Sequence, residues 1–181
     1  ASRGLGDVYK RQEVEIQMGY HSENETIFKG IVIKHAIKTK NNSGSMLIVD
    51  MKDEAVKMTI GRKNKYYEEV KDSDIIEEKI GEYGLSSDVE ATDVDHKEMV
   101  QYYVTDWDFV VSRADVSGKL VFVDDGSIAV KKPDLSQSPK LELTYGQNVY
   151  DFEAEMDARE QFAAVKSKSW DYAGQEMLEM E

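Results

Sequence analysis

Cysteine is absent from all 181 residues, so disulfides, thiolate metal ligands and a cysteine nucleophile are excluded, and no redox compartment can be read from thiols. Proline occurs only twice and glycine 12 times, which excludes a collagen-like repeat and a proline-rich linker. No apolar run reaches the ~18 residues that a membrane-spanning helix needs. The N-terminus lacks the apolar stretch of an ordinary secretory signal. Positive charge is scarce as well: 23 Lys and Arg stand against 36 Asp and Glu, a formal net charge of −13. Phosphate backbones are bound by basic faces, so nucleic acid is not an expected partner. Stable membrane association is not expected either.

What is present suffices for a folded body. Hydrophobic residues make up 40% and charged residues 33% of the chain, which argues against overall disorder. A chain of this length forms one generous domain or two small ones and buries about 70% of its unfolded surface. The charge is unevenly spread: residues 1–70 carry a net +2 and residues 71–181 a net −15. Most of those acids are expected to solvate a surface, and their field would steer the chain toward basic protein surfaces.

Residues 1–12, ASRGLGDVYKRQ, show neither strand nor helix periodicity and read as a non-native scar. From Glu13 the pattern is β. Val14, Ile16, Met18 and Tyr20 alternate with polar residues, and Thr26–Lys38 sets Ile31, Ile33 and Ile37 on one face. Asn41–Ser45 is a turn cluster and Met46–Met51 a third strand. A helical turn over Asp53–Lys57 and a short strand over Met58–Arg62 follow. The period then changes: Ile76, Ile80 and Tyr83 share a helical face over Asp72–Gly84, with N-cap oxygens before them and Gly84 at the end. Residues 86–98 read as an exposed acidic connector and Met99–Val104 as a strand. Thr105 caps a second helix, Asp106–Val116, with Asp108 in the capping-box position and Gly118 beyond its end. Leu120–Val123 and Ile128–Val130 flank Asp125-Gly126, a primed-turn hairpin signal. Leu141–Tyr145 reads as a short strand, Tyr150–Asp157 as a strand with one acidic face, and Phe162–Tyr172 as its neighbour. The tally predicts an α+β fold with mainly antiparallel sheets and two short helices.

Candidate chemistry is thin. His21, His35 and His96 have no partner at metal-ligand spacing. The acidic run Asp88–Asp95 lacks the glycine and terminal glutamate of a calcium loop. Asp106 and Asp108, two apart on a helix, diverge rather than form an acid–base pair, and capping explains both. No serine lies in a GxSxG context, and no phosphate-binding glycine loop occurs. The sequence is therefore read as non-enzymatic, with no catalytic, cofactor-binding or metal-binding residue and no cofactor.

One ordered set of residues is more specific. Asp74-Ile75-Ile76, Gly84-Leu85, Val100-Gln101-Tyr102, Thr105-Asp106-Trp107-Asp108-Phe109, Arg113 and Gly118 resemble the N-terminal hub region of VgrG, the spike protein of bacterial type VI secretion systems. Phe28, Gly30 and Val32 look like the family's F-x-G-x-V strand. The likeness spreads over Glu13–Met177 and is strongest over Ile75–Gly118. It departs at Ala114-Asp115-Val116-Ser117, where the family has a bulkier acidic helix end. The resemblance implies that Gly30, Ile76, Gly84, Gln101, Tyr102, Asp106, Trp107, Phe109, Arg113 and Gly118 are structural signature positions. It further implies two barrel-like β domains, residues 13–70 carrying the remainder of the first and 71–181 the helices and most of the second. A phage-baseplate-hub-like homotrimer is implied, matched to an Hcp-like tube protein and followed by a spike with a PAAR tip and effectors. A bacterial cytoplasmic protein exported through the apparatus without a signal peptide is implied too. The isolated segment's oligomeric state is left open, as is a contractile phage baseplate hub or an acidic β-rich binding module. On these expectations, removing residues 1–12 is nearly neutral, whereas truncating a buried Trp107 costs about 3 kcal/mol or more.

Overall fold

The computed structural model describes residues 12–21, 23–40, 44–159, 162–172 and 174–180. The chain divides into two compact units, one ending at Leu135 and one beginning at Ser136. The change of charge and periodicity near residue 70 falls inside the first unit.

The first unit opens with an antiparallel meander of β1 (Glu13–Tyr20), β2 (Glu23–Lys40) and β3 (Gly44–Lys52), in the order β1-β2-β3. Cross-strand partners share a face. The extra residue Ile33, between Val32 opposite Met51 and Lys34 opposite Asp50, is a bulge that resets the alternation of β2. Val32 therefore joins His35 and Ile37, where simple alternation had set Val32 against the isoleucines. A second irregularity, the extra residue Ile27 of β2 between Phe28 opposite Ile16 and Thr26 opposite Gln17, leaves the alternation of β1 intact, so Met18 and Tyr20 stay on the face of Val14 and Ile16. Gly30 lies where the sheet crowds: a Cβ there would sit 2.4 Å from the Lys52 carbonyl oxygen and 2.7 Å from the Phe28 ring. The Val32 amide donates to the Gln12 carbonyl at 3.0 Å, so Gln12 continues the pairing of β1, while the rest of the expected scar lies outside the described residues.

A 3-10 helix, Glu54–Thr59, follows in place of the expected strand at Met58–Arg62. Asp53 caps it through the Ala55 amide at 2.8 Å and also accepts the Gly126 amide at 3.0 Å, tying it to a distant hairpin turn. The strand lies one step later, as β4 (Lys63–Lys71), whose polar sequence KNKYYEEVK and left-handed Glu69 (φ 47°) hide its period. Helix α1 (Asp72–Gly81) ends three residues before Gly84, which occupies the turn at φ 71°. Its N-terminus has no side-chain cap of its own; Thr92 Oγ accepts the Ser73 amide at 3.1 Å instead. The segment expected as a connector holds β5 (Ser86–Val89) and the start of β6 (Asp95–Val104).

Helix α2 (Asp106–Val116) begins as expected, with Thr105 accepting the Asp108 amide at 3.1 Å, and Gly118 (φ 64°) turns the chain out of it. β7 (Leu120–Asp124) and β8 (Ser127–Lys131) form the hairpin around Asp125-Gly126, both at positive φ. β5 adds to β8 in parallel, which an all-antiparallel reading misses. The fold is α+β and mainly antiparallel, and no closed barrel forms among the described residues.

Two helices between two sheets make the core. Ile75 and Phe109 face the β4–β6 ribbon, where Tyr67 and Phe109 stack with centroids 6.3 Å apart. Their sequence neighbours Ile76 and Val110, with Ile80 and Ala114, face β5-β8-β7 and meet Ile128, Val130 and Met58. Each helix thus needs paired apolar residues, one per sheet. Trp107 is only half-buried against this cluster, so the larger cost expected from full burial does not apply to it.

The second unit holds a hairpin of β9 (Ser167–Asp171) and β10 (Glu176–Met180), with Trp170 opposite Met177. The expected strand at Leu141–Tyr145 is reduced to an isolated bridge from Tyr145 to Val149. Residues 150–158 belong to no strand ladder, so the strand expected over Tyr150–Asp157 and its pairing with Phe162–Tyr172 are not formed; β9 pairs with β10 instead.

Ile80→Ala removes a side chain with no exposed surface and is expected to cost about 2–5 kcal/mol. Trp107→Ala is expected to cost less. Chemical-denaturation midpoints test this order, and a larger loss for the tryptophan variant would contradict the core assignment.

Candidate functional site

Two of the signature residues, Gln101 and Asp106, meet at the junction of α1, α2, β4 and β6 in a polar clamp. Asp106 opens α2 with no exposed surface. A carboxylate so placed must find donors inside the protein. Its Oδ1 accepts from Gln101 Nε2 at 2.8 Å and faces Lys79 Nζ at 3.3 Å. Its Oδ2 accepts from Tyr83 Oη at 2.6 Å and Lys63 Nζ at 2.5 Å. Gln101 also donates to the Val104 carbonyl at 3.2 Å, locking the turn before the helix. Glu82 accepts from Lys79 and Lys63, each at 3.0 Å, so the lysines are shared between two acids.

Burial alone would push the Asp106 carboxyl up; the bonds from Lys63, Tyr83 and Gln101, with the charge of Lys79, outweigh it and hold the group down at about 2. Bonding to Asp106 raises Lys63 above the usual lysine range. Burial, then the bond to Asp106, raises the Tyr83 phenol.

A second clamp lies at the other end of α1. The buried Asp72 receives Arg113 in a forked pair, Nε to Oδ1 at 2.6 Å and a terminal nitrogen to Oδ2 at 3.0 Å. His96 Nε2 stands 3.0 Å from Oδ2. Burial pushes Asp72 up, but the bonds from Arg113 and His96 prevail and keep it below the usual range.

The structure thus brings together Gln101 and Asp106, sets Ile76 and Phe109 in the core, and ties Arg113 to Asp72. Gly84 and Gly118 serve turns, and Gly30 lies apart in β2. Tyr102 points outward, 81% exposed. Asp108 is exposed while Asp106 is buried, so their carboxyls do diverge. Sequence reasoning missed Lys79, Lys63, Tyr83 and His96 as partners, and treated Asp72 only as a capping residue. Helical spacing held a signal for one of these: Lys79 lies three residues after Ile76 on the inward side of α1 and has 1% exposure.

The remaining candidate is a surface. One face of the β1-β2-β3 sheet carries Val14, Ile16, Phe28, Val32, Leu47, Val49 and Met51, with His35 opposite Val49 and Glu25 and Glu23 opposite Met18 and Tyr20, and its outer part is open: Met18, Tyr20, Ile37 and Leu47 are all exposed. A depression of about 390 Å³ lies in it, lined by Gln12, Val32, His35, Leu47 and Val49. Patches of this kind mark interaction sites. Among the described residues no group of three His, Asp or Glu is arranged to hold a metal ion.

Asp106→Asn leaves Lys79 buried beside a neutral partner and is expected to cost about 3 kcal/mol at neutral pH. A depressed native pKa stabilises the fold above the unfolded value near 4 and ceases to do so as pH falls toward about 2. Unfolding free energy measured from pH 5 to pH 2 should fall in that window, and more shallowly in Asp106→Asn; parallel curves would contradict the clamp.

The 43 kDa tail protein of prophage MuSo2 from Shewanella oneidensis is similar over 86% of this chain and 49% of its own, with TM-score 0.65 and 14% identity. The tail protein from Neisseria meningitidis MC58 is similar over 88% of this chain and 52% of its own, with TM-score 0.63 and 13% identity. The chain therefore spans about half the length of these tail proteins, and the likeness is one of fold. No curated protein matches the chain. Residues 10–181 match a family model described as the Alg8 N-terminal domain. A match extending from beside the first described residue to the last residue of the sequence leaves one conclusion: this chain, with a phage-tail-protein fold, belongs to the Alg8 N-terminal domain family.

Proposed function

We propose that the chain is a structural hub element of a contractile, phage-tail-like apparatus, assembling as a homotrimer between an inner tube and a puncturing spike. The observation that carries this reading is the tail-protein fold extending over more than four-fifths of the chain. Two further features support it. The chemistry-bearing side chains at the helix junction are consumed in holding the fold, with Asp106 and Asp72 already neutralised by lysine and arginine. The β1–β3 sheet also offers the open apolar face that a subunit of a ring requires.

Within this role, the motifs around Gln101-Tyr102 and Asp106–Phe109 favour a VgrG-like spike hub of a type VI system over a phage baseplate hub. Such a hub would contact an Hcp-like tube, carry a PAAR tip and effectors through other regions of the spike, and leave the bacterial cytoplasm through the apparatus itself. The role is non-catalytic and needs no cofactor. Native mass spectrometry of a full-length hub protein carrying this chain, at micromolar concentration and physiological salt, is expected to give a threefold mass. A population of monomers and dimers alone would contradict the hub reading.

A further inference from the structure

Aspartate is followed directly by glycine at a single place in the sequence, Asp125-Gly126, the turn between β7 and β8. Such a bond carries a latent reaction with water alone as co-reactant. The glycine nitrogen gives up its proton and attacks the aspartate Cγ. A C–N bond forms, the carboxyl C–O bond breaks, and water leaves carrying that proton. The succinimide ring then takes up one water. Opening at the former main-chain carbonyl leaves an isoaspartate, whose main chain runs through the old side chain and is one carbon longer. Glycine favours the reaction because it has no side chain to shield the nitrogen.

The site is open to that chemistry. The Asp125 side chain is 43% exposed, with Lys29 4.0 Å away, and the turn borders a cleft of about 450 Å³ that Asp53 and Glu54 also line. The Gly126 peptide, in contrast, is held on both sides. Its amide donates to Asp53 Oδ2 at 3.0 Å, and its carbonyl accepts the Ser86 amide at 3.1 Å. Pairing of Asp124 with Ser127 closes the turn, with Asp125 at φ 46° and Gly126 at φ 75°. The nitrogen that must attack Asp125 is therefore aimed at a different carboxylate. The negative charge of Asp53 also opposes loss of the amide proton. Ring closure needs the reacting atoms aligned and in contact, and the tether to Asp53 denies it both.

We propose that Asp125 is an isoaspartate-forming modification site, which the native fold holds in check through Asp53. The same carboxylate caps the 3-10 helix, its Oδ1 accepting the Ala55 amide at 2.8 Å. Modification would thus be felt beyond the turn. One extra main-chain carbon breaks the two-residue hairpin geometry and takes Gly126 away from both Asp53 and Ser86. That unties the 3-10 helix from the hairpin and loosens β8 from β5. The inference is independent of the hub reading, because it concerns the covalent ageing of this chain in any assembly.

Incubation of the full chain in heavy-oxygen water at neutral pH tests it, since each ring opening leaves one heavy oxygen in the peptide holding residue 125. Chain unfolded in guanidinium chloride is expected to gain label and isoaspartate there at least about tenfold faster than native chain. Asp53→Asn and Asp53→Ser each leave one acceptor oxygen where two amides were served. Both residues still cap helices, so the 3-10 helix is retained while the tether is lost. Labelling in these folded variants is expected to rise about tenfold over the native chain. The comparison of native with unfolded chain stands whether or not either variant folds. Equal labelling of native and unfolded chain, or a folded variant labelling at the native rate, would overturn the inference.

Discussion

A carboxylate cut off from water must be given partners by the fold, and in this chain that requirement organises the centre. Asp106 draws donors from β4 through Lys63, from α1 and its exit through Lys79 and Tyr83, and from β6 through Gln101. Three donor segments, β4, α1 with its exit and β6, must meet the start of α2 at once to satisfy it. Asp72 repeats the device at the start of α1, drawing on α2 through Arg113 and β6 through His96. Neither carboxylate is a strong net source of stability, since burial opposes what pairing returns. Their effect is on uniqueness: a helix shifted by one turn would strand a buried charge.

The centre is consequently self-sufficient, and the periphery is not. The buried carboxylates at the helix junction are answered from within, although Tyr67 Oη and Gln101 Oε1 are buried without a hydrogen-bond partner, and the apolar faces of α1 and α2 are covered on both sides. The β1–β3 meander and residues 150–158 instead leave large apolar side chains in solvent. Open sheet edges and exposed apolar faces are where chains associate, and left uncovered they are an aggregation hazard.

Much of the frame was legible in the sequence. The pairs Ile75-Ile76 and Phe109-Val110 mark helices covered on two sides, Thr105 with Asp108 marks a cap, and Asp125-Gly126 marks a hairpin. What escaped was tertiary in origin. β4 has too few apolar residues to declare itself and becomes a strand by pairing with β6, with Glu69 in a left-handed conformation breaking its alternation. β5 exists because β8 offers a parallel edge. Ile33 in the bulge of β2 turns Val32 to the other face, and no local rule foretells that. Residues 150–157 failed in the opposite sense, having the strand pattern without a pairing strand among the described residues. At the junction, Gln101 and Asp106 were singled out, but Lys79 and Lys63 read as ordinary surface cations because charge alone does not reveal burial.

The central claim is that a closed, internally neutralised frame carries open sheet edges. Amide hydrogen exchange on the dilute chain tests it most directly. The account predicts the slowest exchange in α1, α2 and the β4–β6 ribbon, with β3 and residues 150–157 exchanging far faster. Protection of β3 and residues 150–157 equal to that of the helices in the isolated chain would contradict it.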